Sequence, residues 1–276
     1  MAPADFSPID PRTVTPRRLG MYRRNVETLI SNANPEQRDY GRTWYPRAHD
    51  IAEKVGRGDV RTGAGIVAAL SPSTEWGANV NQAHELTRSF PDKHLAALRG
   101  AHEHLEGLKR LQTEHRRAHG FNNPTIAADI DKATESHNRV RAETVGKTRA
   151  LRLQATPNIL KAADIRDGKN PEQALPMQIK TGNFYKNMVD PSDPHPVTVD
   201  VHMHDAVIGR GDLEHKVPRG LSSVGRYNLF ADVVRQAADR TGMPTANQAQ
   251  GTAWVVHKAT KKSRNSKTMP YDDLKW

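Results

Sequence analysis

Apolar residues in this chain recur every three or four positions, and proline, glycine and asparagine stand between the recurrences. That period belongs to helices that bury one face, whereas strands need alternation in steps of two. No series of alternating segments joined by hairpin turns is present, so the expected fold class is all-α. Thr15-Pro16 supplies a cap and a first-turn proline ahead of Leu19, Tyr22, Val26, Leu29 and Ile30. A second helix is expected on Trp44, Ala48, Ile51, Ala52 and Val55, stopped by Gly56. Asp59 suits the cap of a third, which ends in a short apolar run through Leu70. Ser73 is the expected cap of a fourth, carrying Trp76, Val80, Ala83 and Leu86.

Residues 92–150 change character, with Phe121 as their one aromatic among many Lys, Arg, Glu and His. Leu95, Leu98, Leu105, Leu108 and Leu111 form a thin stripe, and Ile126, Ile130, Ala133 and Val140 form another after a loop at 119–124. This predicts a long helical hairpin inserted into a helical domain made of 15–91 and 151–257, and its plain reading is a solvated appendage. Further helices are expected from Thr156-Pro157 and Asn170-Pro171, over 180–188, and from Val201 to Gly209. Two more are expected around Tyr227 to Ala237 and around Ala249 to Val255. Residues 1–14 read as a flexible arm and 258–276 as a flexible basic tail.

Charge narrows the partners. Lys+Arg number 41 against 31 Asp+Glu, a net charge of +10. Such a surface favours a polyanion, DNA foremost, with a merely solvated basic surface as the alternative. The absence of cysteine excludes disulfides, cysteine zinc sites, Fe–S clusters and thiol chemistry. No apolar run approaches the roughly 18 residues of a membrane span. The N-terminus lacks an apolar signal core, which points to the cytoplasm.

The stretch richest in chemistry runs from Leu175-Pro-Met-Gln-Ile-Lys180 to Val199-Asp-Val-His-Met203. Lys180 opens one helix and Asp200 opens the next, so a folded-back loop would bring amine and carboxylate together. A lysine amine that sheds its proton attacks electrophilic carbon. A nearby carboxylate stabilises a developing cation or handles the proton. The competing reading makes Asp200 a helix cap and Lys180 solvated surface. His195, His202, His204 and His215 lie near Asp200 and Asp205. On a helix His202 and His204 point about 200° apart, so no metal site is expected. No phosphate-binding or dinucleotide glycine motif is present.

These segments resemble the helix–hairpin–helix DNA glycosylase superfamily, which includes endonuclease III and 8-oxoguanine DNA glycosylase. Leu175-Pro176 before Lys180, then Val199-Asp-Val-His-Met203, follow the family's nucleophile and aspartate motifs. Residues 66–79, with Ser73, Trp76 and Asn79, are similar to the segment that fills the gap left by a flipped base. The likeness covers 60–90 and 156–257, and the spacing looks most like a divergent phage-encoded branch. It implies a two-lobed helical fold and cleavage of an N-glycosidic bond, with strand cleavage by β-elimination as a possible sequel. Lys180 would be the nucleophile and Asp200 its carboxylate partner. His202 would lie near a DNA phosphate, with Ser73, Trp76 and Asn79 at the base or its vacated place. No cofactor is implied, and a phage protein would work in the bacterial cytoplasm. The same fold also serves hypermodification of phage DNA bases, and a non-enzymatic DNA-binding or host-interaction protein is the third reading. One departure stands out: the family's Gly-x-Gly turn before the lysine is replaced by Met177-Gln-Ile179.

Overall fold

The computed structural model describes residues 9–209 and 219–262. Among them all regular structure is helical, and the fold is all-α. In chain order the helices are α1 (Pro16–Ser31), α2 (Pro35–Val55), α3 (Val60–Leu70), α4 (Trp76–Arg88), α5 (Asp92–His119) and α6 (Pro124–Thr144). They continue with α7 (Thr156–Arg166), α8 (Pro171–Ala174), α9 (Lys180–Val189), α10 (Val201–Ile208), α11 (Val224–Thr241) and α12 (Ala246–Lys262). The chain divides into two compact units. Unit 1 joins residues 1–68 to 170–276, and unit 2 is 69–169.

Helix starts follow side chains that accept orphan backbone N–H groups. Thr15 caps α1 with Pro16 behind it. Asn34 and Gln37 form a reciprocal capping box on α2. Asp59 accepts from the amides of Arg61 and Thr62 at the start of α3. Asn123 caps α6 and Asn170 caps α8, each followed by proline. Gly209 and Gly242 end α10 and α11 in the left-handed region that glycine tolerates.

Unit 1 is built around Tyr22, Val26 and Ile30 of α1, Met203 and Val207 of α10, Phe230 and Val234 of α11, and Ala249 and Ala253 of α12. Helices α2 and α12 meet backbone to backbone. A Cβ at Gly41 would overlap the backbone of Thr252, and one at Gly251 would press on the Gly41 carbonyl. Where it is described, the expected flexible arm is held to the core. Residues 1–8 lie outside the described residues, but Pro11–Thr13 form a 3-10 turn, and Ile9 and Val14 pack on the core. Arg226 holds the Ile9 carbonyl, so this stretch is bound rather than free. Likewise α12 continues through Lys262, which makes the first residues of the expected tail helical; 263–276 lie outside the described residues.

Unit 2 holds α4, α7 and the long hairpin of α5 and α6. Leu95, Leu98 and Leu105 are buried as the stripe predicts, but Leu111 is 52% exposed. Polar locks replace a thick apolar seam. The Glu85 carboxylate accepts from three successive amides, Arg149, Ala150 and Leu151. Gln154 donates to the Leu70 carbonyl at 2.6 Å and to Gln82 at 3.0 Å. Ser73 does not cap α4: it is exposed with φ 58°, and α4 starts three residues later without a side-chain cap. The turn there is held instead by Gln154, which also reaches the Thr74 hydroxyl.

Candidate functional site

Helix α8, the turn at 175–179 and α9 form a small helix–turn–helix in unit 1. The turn lies flat on α9, because a Cβ at Gly182 would overlap Met177 and the Pro176 carbonyl. A glycine inside the second helix thus permits a close approach that needs no glycine in the turn. Lys186 donates to the Met177 carbonyl at 3.3 Å and closes the motif from below. Lys180, the first residue of α9, is half-buried. Among the described residues its Nζ has no hydrogen-bond or ion-pair partner.

The segment from Asp190 to Val199 links α9 to α10 and is held along its length. Asn187 donates to Thr198 at 3.0 Å, and Asn247 donates to Asn187 and to the Pro191 carbonyl. Arg235 holds the His195 carbonyl. The Tyr227 hydroxyl accepts from the Val199 amide at 2.9 Å and donates to the Val197 carbonyl at 2.6 Å. Burial pushes this hydroxyl's pKa up, and the charge of Asp200 adds to the rise, so it stays a donor. Asn183, one turn (about 4.5 Å of rise) beyond Lys180, stands beside the same hydroxyl. Tyr227 therefore holds the approach to Asp200 at Val197 and Val199, while the Asn183 side-chain amide donates to the Ile179 carbonyl at 3.0 Å.

Asp200 is the N-cap of α10. One carboxylate oxygen accepts from the Met203 amide at 2.7 Å, and the other accepts from the Trp254 indole N–H at 3.2 Å. The two donors, one on each oxygen, fix the plane of the carboxylate. His202 meets Trp254 edge-on at 6.5 Å, and Lys258 stands 5.5 Å over the same indole. Trp254, on α12, is a site residue that the local pattern of its helix does not reveal.

Lys180, Asp200 and His202 thus belong to unit 1, and Ser73, Trp76 and Asn79 to unit 2. Trp76 opens α4 half-buried, and Asn79, one turn on, is 2% exposed. His204 turns away from His202: its Nδ1 is 2.9 Å from Asp205, and its ring packs on Phe230. Asp205 in turn receives Arg219 through Nε at 3.2 Å and a terminal nitrogen at 2.8 Å. His215 lies outside the described residues. Among the described residues no group of three His, Asp or Glu is placed to hold a metal ion.

Burial, with His202 nearby, lowers the pKa of His257. The unfolded chain binds that proton near pH 6.5. Stability should therefore fall as the pH drops below that value. The thermal midpoint is expected to decline from about pH 7.5 to about pH 5, and to decline less in His257→Gln. An equal decline in both proteins would remove His257 from the acid response.

Among the described residues no helix is long and apolar enough to cross a membrane. No curated protein matches the chain, and no solved structure does. Residues 9–119 and 125–262 match a family described as a family of unknown function, DUF7178. With most of the chain inside that match, the protein belongs to the DUF7178 family.

Proposed function

We propose that the chain acts on DNA as a glycosylase-like enzyme, with Lys180 as nucleophile and Asp200 as its carboxylate partner. The observation that carries this reading is the doubly held carboxylate of Asp200 at the start of α10, with the half-buried Lys180 opening α9 in the same unit. The +10 charge favours the polyanionic substrate. In this scheme the Nζ lone pair bonds C1′ of a flipped nucleoside while the bond from C1′ to the base breaks. The base leaves with that electron pair and takes up a proton. The fixed carboxylate offsets the positive charge that develops on the sugar, and being already oriented it need not reorganise. His202, two residues after Asp200 and beside Trp254, would contact a backbone phosphate.

Borohydride reduction traps a lysine–sugar Schiff base as a covalent adduct. On duplexes carrying damaged or abasic sites, the native chain should give the adduct and Lys180→Gln should give none. Asp200→Asn should slow base release by about 100- to 10,000-fold. An undiminished adduct in Lys180→Gln would sink the assignment of that lysine. Mass spectrometry of the nucleosides separates base release from base modification: a new nucleoside in place of a lost base would assign the site to hypermodification.

A further inference from the structure

The far end of the α5–α6 hairpin carries the most exposed aromatic ring among the described residues. Phe121 is 61% exposed, and Leu111 nearby on α5 is 52% exposed. Exposed rings at a mobile tip would mean little, but this tip is built. Gln112 is buried and holds Asn123 from both sides, donating to its carbonyl and accepting from its amide, each at 2.9 Å. Asn123 then caps α6 through the amides of Thr125 and Ile126. Gly120 turns the chain with φ 79°. Phe121 leans on two histidine rings: His115 at 5.4 Å, edge-on, and His119 at 6.2 Å. Those two rings stand 4.4 Å apart. The result is a three-ring cluster in which Phe121 stays mostly exposed.

The end of α5 beside the cluster is rich in cations. Arg116 and Arg117 are exposed in the last turn of α5, and Arg110 lies two turns back. None of the three forms a salt bridge among the described residues, whereas Lys109 is paired with Glu106. Glu114 is the acidic residue between them. An exposed ring flanked by free guanidinium groups matches the two parts of a nucleic-acid strand: a base with a π-face and a phosphate on either side. A duplex hides its base faces, so the ring selects unpaired bases.

We infer that the tip of the α5–α6 hairpin is a contact for single-stranded or locally unpaired nucleic acid. Phe121 stacks on a base, and Arg116 and Arg117 hold the adjoining phosphates. The inference does not rest on Lys180 or Asp200, and it is tested by binding rather than by chemistry. The full chain is titrated against a short labelled single-stranded oligonucleotide and against its duplex, in anisotropy, over a range of salt. Phe121→Ala is expected to weaken single-strand binding about tenfold, the loss of one stacked base. Its salt slope should stay unchanged, and Phe121→Trp should retain the affinity. The double replacement Arg116→Gln with Arg117→Gln should lower the salt slope by about 1.4, at about 0.7 per phosphate on a single strand. An oligonucleotide carrying 2-aminopurine should be quenched by the native chain and not by Phe121→Ala. Lys180→Gln should bind as the native chain does, which separates this contact from the proposed chemistry.

Phe121 and both arginines are exposed, so the variants leave the fold intact, as circular dichroism will confirm. Native affinity in Phe121→Ala and in the arginine pair would overturn the assignment. So would binding to anionic vesicles that depends on Phe121 while oligonucleotide binding does not.

Discussion

Replacing Arg219 by methionine is expected to cost unit 1 about 3–5 kcal/mol of folding stability. Asp205 is 0% exposed and Arg219 5% exposed at the side chain, and the guanidinium meets both carboxylate oxygens. With the arginine gone, a buried carboxylate keeps the His204 ring at 2.9 Å but loses its full positive charge. Such a group must stay buried with its charge less well matched, take up a proton or open the structure to water, and each route costs stability. Chemical denaturation of the single variant measures the loss. The double variant Asp205→Leu with Arg219→Met removes both charges and should recover most of it. A loss under about 1 kcal/mol in the single variant would mean that the pair does not anchor the C-terminal side of α10.

Gly41→Val should be as damaging by a different route. Helices α2 and α12 cross where a side chain at residue 41 has no room, and the obstacle is the backbone of Thr252, which cannot rotate aside. The helices must part, and every apolar contact near the crossing loosens with them. A loss of about 3 kcal/mol or more is expected, at the upper end for overpacking. Gly100→Ala is the matched control. Gly100 lies in α5 with nothing within 4 Å of its would-be Cβ, so alanine should gain up to about 1 kcal/mol from helix propensity. Equal effects at the two positions would show that the crossing tolerates a side chain.

Helix ends were legible because they are written in adjacent residues. Thr15-Pro16, Asn170-Pro171 and Gly209 each act within one turn, so the local pattern carries the answer. Ser73 shows where that stops. Its cap signal is genuine, but Gln154 fixes the turn from 80 residues away in the chain, and no local rule reads that distance. The thin stripe of α5 was legible up to Leu105, whereas beyond it the buried position falls to Gln112, which holds Asn123, and Leu111 stays exposed. At the candidate site Asp200 was legible as a cap, and the structure places it as one. The hand of Trp254 on its second oxygen was not, because 54 residues separate the pair. The glycine that lets the turn lie on α9 sits at 182, inside the helix rather than in the turn, so no pattern within the turn itself reveals the close approach.

The division of the chain bears on how it is made. Unit 1 is assembled from the two ends, with the whole of unit 2 between them. On a ribosome adding about 5–20 residues per second, α12 follows α2 by roughly 10–40 s. Unit 2 is contiguous and can form in that interval. Helices α1 and α2 meanwhile wait with Tyr22, Val26 and Ala48 uncovered, since the partners that bury them are not yet synthesised. The hydrophilic hairpin at the centre of the sequence is thus also a delay, during which the first half of the core is exposed to chaperones and to other nascent chains.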